Sequence, residues 1–257
     1  GAAHTTAWRD HSVYFHMEFS KPVNFTDKAE QGGYVSFSTE DGEALLVKVG
    51  ISYVSEANAK LNLETELSGW DFDAVRQDAS AEWEQQLSKI DAQGGTPDQQ
   101  ANFYSAIYHA MFHPQTFNDV NGEYLGMDGK VHETDGHTHY SVLSLWDTFR
   151  AAHPLYTLIN PDVQLDVVKT MLDDYRDSGW GPKWKLANKE TSIMPGTWAD
   201  VVIPDTYAKG IRDFDLETAY ELVKKNATVA GRRTGLEDYL KYGYVPYPHY
   251  INVSRTL

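Results

Sequence analysis

The sequence predicts a chain that begins as sheet and continues as helices. Three observations carry that expectation. Apolar residues alternate with period two over the first fifty positions, they recur at helical spacing from Ser55 onward, and Gln93-Gly94-Gly95-Thr96-Pro97 interrupts the pattern between two helical regions.

Val13, Phe15, Met17 and Phe19 alternate with Tyr14, His16 and Glu18, which predicts a strand, and Tyr34 to Phe37 after Gly32-Gly33 predicts another. Glu40-Asp41-Gly42-Glu43 reads as a hairpin turn leading into Ala44 to Tyr53, where Leu45, Val47, Val49 and Ile51 fall on one side. Ser55 is placed to cap a helix carrying Leu63 and Leu67 one turn apart, and Phe72 to Ile90 repeats Val75, Ala79, Trp83 and Leu87 at helical spacing. Beyond Pro97, Phe103, Ile107 and Ala110 mark one helix, Leu165, Val168, Leu172 and Tyr175 another, and Leu216, Ala219, Tyr220 and Val223 a third. Asn118 to Gly122 and Met127 to Lys130 flank Tyr124 as a small hairpin.

The 257 residues are 41% hydrophobic and carry a net charge of -15, with pI near 5.0 and mean hydropathy -0.50. An acidic chain of this kind argues against nucleic acid or an anionic membrane as partner, because both call for a basic footprint. No run approaches the roughly 18 apolar residues of a membrane span, and Gly1-Ala2-Ala3-His4 does not open a leader peptide. Without cysteine there is no thiolate nucleophile and no disulfide. The sequons at Asn24, Asn226 and Asn252 are short enough to arise by chance.

Ser144-Leu145-Trp146-Asp147-Thr148-Phe149-Arg150 sets an aromatic face beside a carboxylate and a guanidinium. A sugar is matched by that mixture, since Trp packs on the C–H face of a pyranose, Asp accepts from vicinal hydroxyls and Arg donates to oxygen. The alternative is a buried Trp and an Asp favoured by the dipole of a helix start. Trp180 and Trp184, in the Gly- and Pro-interrupted segment Gly179 to Trp184, are expected in a loop, as stacking platforms or as a lid over the core, and Trp198 with Asp200 invites the same two readings. His109 and His113 would share a helical face, but the Glu of the helical zinc motif is missing, and His137 and His139 read as solvated residues of a polar loop.

Taken in order, Val47 to Ser55, Phe103-Tyr104 through Tyr108-His109, Asp119 to Tyr124, Ser144 to Arg150 running on to His153-Pro154-Leu155, Asp205 to Ile211 and Tyr242 to Pro246 resemble the family 92 glycoside hydrolases. The resemblance covers most of the chain. It implies the later part of a β-sandwich over 1–54, a helical linker over 55–96, and the first part of an (α/α)6 catalytic barrel over 97–257. It also implies a secreted or periplasmic, calcium-dependent exo-α-mannosidase that inverts configuration and acts on a mannose-containing glycan. In such enzymes an acid and a base stand roughly 6.5–9.5 Å apart across the sugar.

On this resemblance Asp147 recognises sugar hydroxyls with Trp146 as packing partner, and Arg150, Trp180 and Trp184 complete the candidate substrate-binding set. The family's His-Gly-Asn-Glu-Pro and Gly-Asn-Asp motifs, which hold acid and base, do not occur here. No catalytic residue and no calcium ligand is therefore expected in the chain, which reads as a central fragment, inactive alone, whose acid, base and Ca2+ ligands lie after Leu257 in the remaining part of the same enzyme. Two other readings stay open: an (α/α)6 glycosidase using Asp119, Asp147, Asp200 or Asp205, and a non-catalytic carbohydrate-binding protein.

Overall fold

The computed structural model describes residues 1–6, 10–23, 25–29 and 32–246. The first strands are β1 (Ala2–Thr5), β2 (His11–Phe19), β3 (Phe25–Ala29), β4 (Gly32–Ser36) and β5 (Val47–Ser52), which form a three-stranded antiparallel sheet β1-β2-β5 and a separate β3-β4 pair. The turn at Glu40 to Glu43 is present, closed by the Glu43 amide donating to the Glu40 carbonyl, but it does not make a hairpin. β4 pairs with β3 and β5 with β2, so the chain crosses between two sheets at that turn.

Register β2–β5 sets Phe15 opposite Ile51, Met17 opposite Val49 and Phe19 opposite Val47, which collects the alternating apolar residues of both strands on one face. That face is largely open: Val47, Val49, Ile51 and Met17 are all exposed. The covered side is the small and polar one. There α1 (Glu56–Glu66), capped by Ser55 accepting from the Asn58 amide, lies against Gly50 and Ser52. A Cβ on Gly50 would stand 2.2 Å from the Ala59 carbonyl oxygen and 2.7 Å from Leu63 Cβ. Backbone cannot give way as a flexible side chain does, so Gly50→Ala is expected to destabilise the sheet–helix packing by about 1–3 kcal/mol or more, seen as faster hydrogen exchange across α1 and β5.

The helices α2 (Phe72–Leu87) and α3 (Pro97–Ala110) follow, the latter opened by a capping box in which Thr96 and Gln99 bond reciprocally. Trp83 meets Tyr108 edge-on at 4.4 Å and joins the two helices. Because α3 stops at Ala110, His113 lies beyond the helix and does not share a helical face with His109, contrary to expectation. Short strands come next: β6 (Gln115–Thr116), the hairpin of β7 (Glu123–Leu125) with β8 (Val131–Glu133), β9 (Tyr140–Ser141) and β10 (Leu143–Ser144).

The remaining elements are α4 (Leu145–Thr148), α5 (Ala152–Ile159), α6 (Pro161–Ser178), β11 (Trp184–Leu186), β12 (Lys189–Glu190), α7 (Ala199–Ala208), α8 (Leu216–Thr228) and α9 (Leu236–Tyr242). The main core is made here, by Leu143 and Leu145, then Val167, Val168, Met171 and Leu172 of α6, Val202 and Ile203 of α7, and Leu222 of α8. The expected succession of sheet and then helices is observed. Of the three sequons, that at Asn226 is on α8 with its side chain buried and bonded to Asp200, which closes it to glycosylation, and those at Asn24 and Asn252 begin outside the described residues.

Asp119 joins the two regions. It is 4% exposed, and its carboxylate accepts from Ser52 Oγ, Asn58 Nδ2 and Asn62 Nδ2, each at 2.7 Å. Its lone pairs are taken up in fastening β5 and α1 to the chain beyond Phe117, which makes it structural rather than an acid or base. The other in-chain carboxylates differ. Asp205 forms an exposed pair with Lys209 one turn on at 2.7 Å, and Asp147 is exposed.

Candidate functional site

Ser144 to Arg150 leaves a strand and enters a single helical turn without a loop between. β10 pairs antiparallel with β11 and sets Ser144 opposite Trp184, so two residues forty positions apart meet across a ladder. Trp184 is thus a strand residue, not the loop residue expected. The backbone reaches this ladder through Val142 at φ 57°, a left-handed conformation that is costly for a β-branched residue. α4 then starts directly. Leu145 is wholly buried against α6 and α7, which fixes the turn and leaves Asp147 facing outward.

Around that turn the aromatic residues are ordered by one another. Phe149 stacks on Trp198 at 3.9 Å with planes 11° apart, Trp146 lies 5.5 Å from Trp198, and the Arg150 guanidinium spans Trp146 at 5.1 Å and Phe149 at 4.8 Å. Asp147 accepts from Ser144 Oγ, which orients its carboxylate while leaving it accessible. Trp198 is itself held, donating through Nε1 to the Pro195 carbonyl at 2.7 Å, and a side chain on Gly196 would strike its ring. The result is an accessible carboxylate and guanidinium beside partly buried indoles.

A buried polar chain supports the turn from behind. Gln164 Nε2 donates to Thr206 Oγ1 at 2.7 Å, so Gln164 Oε1 faces His153 and accepts from Nδ1 at 2.9 Å, and His153 Nε2 accepts from Thr148 Oγ1 at 2.9 Å. The sequence singled out His153 only as part of a motif. Burial holds its imidazole neutral and pushes its pKa down to about 4. Since the unfolded chain protonates near pH 6.5 and the folded chain only near 4, stability is full above about pH 6.5 and is lost as pH falls through that window, by an order of ~3 kcal/mol at the bottom. Protection of the α4 and α5 amides, taken relative to the intrinsic exchange rate at each pH, is expected to fall as pH goes from 7 to 4, and His153→Gln is expected to flatten that dependence.

Trp180 is placed differently. It packs against Gly231 and lies under Lys225 at 4.7 Å and Arg232 at 5.9 Å, with no ring contact to Trp146 among the described residues. Glu190, which the sequence does not single out, accepts from the amides of Lys183, Trp184 and Ser192 and so shapes the β11–β12 turn. Asp200 accepts from Thr197, Asn226 and Arg233 at 2.5–2.7 Å, while burial raises its pKa against these partners. These bonds tie α7 to α8 and Arg233.

His137 and His139 correct another expectation, for neither is solvated: the His137 side chain is 5% exposed and that of His139 is fully covered. His139 is fully buried, with Lys185 Nζ at 2.8 Å from Nε2, and His137 Nε2 stands 2.8 Å from Asp173. Their carboxylate partner comes from α6, more than thirty residues away, and a polar-looking loop is drawn into the interior by it. Two groups among the described residues have metal-ligand geometry, His137/His139/Asp173 and Asp128/His132/Asp177. Neither suits calcium, which takes six to eight oxygen donors, because each contains imidazole and few oxygens.

The catalytic-domain model of glycosyl hydrolase family 92 matches residues 58–257. The chain belongs to glycoside hydrolase family 92. Among solved structures, this family 92 chain is similar to the GH92 α-mannosidase BT3965 from Bacteroides thetaiotaomicron, with TM-score 0.85 and 32% identity over 94% of the chain and 35% of that protein. The same enzyme in complex with mannoimidazole gives the same TM-score, with 34% of that protein covered. It is also similar to the inverting GH92 mannosidase BT2199 of the same species, with TM-score 0.81 and 30% identity over 93% of the chain and 35% of that protein. A curated relative, an uncharacterized secreted glycosidase of Arthroderma benhamiae, is 32% identical over 85% of the chain. The family 92 chain spans 26% of that relative and about a third of the solved mannosidases.

Proposed function

We propose that the protein from which this chain comes is an inverting exo-α-mannosidase, and that Trp146, Asp147 and Arg150 receive the terminal mannose. The observation that carries the reading is the exposed carboxylate of Asp147, oriented by Ser144 and flanked by the Trp146 ring and the Arg150 guanidinium. An ionised carboxylate is the strongest available acceptor for a pair of vicinal hydroxyls, and the indole beside it gives the sugar's apolar face a surface. Trp184, across the ladder from Ser144, completes the wall, and Trp180 lines the outer approach. Support from relatives is consistent with this: two similar structures are family 92 mannosidases, one described as inverting and one seen with mannoimidazole.

In this reading residues 1–54 are the later part of a β-sandwich, 55–96 the helical linker and 97–257 the first helices of an (α/α)6 barrel. The open apolar face of β2 and β5 favours a second sheet packed upon it, as a sandwich requires. The acid, the base and the ligands for Ca2+ belong to the remaining part of the enzyme, since the family's acid and base motifs are absent from this sequence. A mannose-containing glycan outside the cell or in the periplasm is the substrate, in keeping with the secreted relative; among the described residues no helix is long and apolar enough to cross a membrane. Hydrolysis of an aryl α-mannoside by the full-length protein, with and without a calcium chelator, tests the reading: chelator-sensitive release is expected, and release only from other glycosides would overturn it.

A further inference from the structure

Two groups of histidine and carboxylate side chains gather along the C-terminal half of α6, and what surrounds each decides what it can hold. In the first, His137, His139 and Asp173, the Lys185 ammonium is 2.8 Å from His139 Nε2 and 2.7 Å from Asp174. A positive charge is already in place there and would repel a metal ion.

The second group is Asp128 at the tip of the β7–β8 hairpin, His132 on β8 and Asp177 in the last turn of α6. His132 Nε2 stands 3.0 Å from Asp128 Oδ1 and 3.6 Å from Asp177 Oδ1. Donors bound at about 2.0–2.2 Å to a tetrahedral ion are separated by about 3.3–3.6 Å, so the side chains need only small shifts to share one. The nearby cation, Lys130 Nζ at 3.3 Å from Asp128 Oδ2, is on a side chain 78% exposed and free to swing into water.

Two further observations point to a ligand. Asp177 has the least exposed side chain of the three, at 6%, yet its partners are distant: Tyr124 Oη donates to Oδ2 at 3.5 Å and His132 Nε2 stands 3.6 Å from Oδ1. Both are beyond the ordinary range of about 2.5–3.0 Å, and a buried carboxylate calls for a charged or donating partner. The second observation is Gly126. A Cβ there would lie 2.5 Å from His132 Cδ2, 2.7 Å from Asp177 Oδ2 and 2.9 Å from Asp128 Oδ1, so only glycine lets the three side chains converge. The Gly126 carbonyl is fixed in turn by Asn188 Nδ2 at 3.0 Å.

We propose that Asp128, His132 and Asp177 bind a divalent transition-metal ion, with Zn2+ the best match, and that the ion clips the β7–β8 hairpin to the end of α6. One imidazole nitrogen and two carboxylate oxygens form a donor set for zinc-like ions rather than for calcium. Three protein ligands leave a position for water.

The test is calorimetric titration of the full-length protein with Zn2+ in the presence of saturating Ca2+, repeated on Asp128→Asn and His132→Gln. Both replaced residues are partly exposed, and the circular dichroism of each variant establishes that it is folded. The expected result is one zinc per chain in the wild type and a loss of affinity of about 100-fold or more in each variant. Titration with Co2+ is expected to give the visible absorption of a nitrogen- and oxygen-bound ion, abolished by His132→Gln. Unchanged zinc stoichiometry and affinity in the two variants, or a wild-type Kd weaker than about 1 mM, would overturn the proposal, as would displacement of zinc by calcium. Because binding is read directly, the outcome is independent of whether the enzyme cleaves mannosides.

Discussion

Asp147→Asn in the full-length enzyme is expected to lower kcat/KM for an aryl α-mannoside by about 30- to 1000-fold, or about 2–4 kcal/mol. The carboxylate accepts from Ser144 Oγ and is exposed, so it has acceptor capacity left for two sugar hydroxyls. Amide replaces one acceptor by a donor of the same shape, which removes a charge-assisted bond and sets a donor against a hydroxyl that needs an acceptor. Folding should be little disturbed, because the turn is anchored by Leu145 and Phe149 and not by the carboxylate. Full turnover by Asp147→Asn would rule the residue out of mannose recognition. Trp146→Ala is the companion measurement, expected to act through the lost packing surface and the Arg150 contact.

The largest expected effect on stability is at Lys185, whose side chain is 1% exposed and bonds the fully buried Asp174 at 2.7 Å. Lys185→Met leaves Asp174 in the interior without its counter-charge and removes the donor to His139 Nε2, which costs about 3–5 kcal/mol. Burial raises the pKa of Asp174, and removing the ammonium raises it further, so the unpaired group would take a proton. A protein with several regions does not unfold as one unit, so the readout is local hydrogen exchange at α6 and β11. Pairing Lys185→Met with Asp174→Leu is expected to recover much of the loss, because both charges then leave together. A double variant no better than the single one would show that packing, and not the ion pair, is what Lys185 contributes.

The start of α1 was legible because Ser55 caps a backbone amide three residues on, an interaction local in sequence, whereas the caps that Asp71, Thr96 and Asp215 supply to α2, α3 and α8 were not read. The alternating strands were legible too, but not which face would be covered. Only the fit of Ala59 and Leu63 over Gly50 decides that, and such a fit depends on a helix that follows in the chain. Trp184 was misplaced in a loop because a three-residue strand has no period to read, and its ladder partner Ser144 is distant. α7 was missed since Pro204 lies inside it, where proline ordinarily ends a helix.

In the site, the composition of Ser144 to Arg150 was readable as sugar-compatible chemistry. Its positioning was not. Phe149 depends on Trp198, and Thr148 on His153 and through it on Gln164 and Thr206, contacts that sequence spacing does not register. The same is true of His137 and His139, whose burial follows from an aspartate on α6. The resemblance to family 92, read from ordered motifs, survived comparison because such motifs keep the residues of one fold in one order.

The central claim is most directly tested by proton NMR of the first mannose released from an aryl α-mannoside by the full-length enzyme, before mutarotation mixes the anomers. The account predicts β-mannose as the initial product, the signature of one displacement by water on the face opposite the leaving group. Initial release of α-mannose would contradict it.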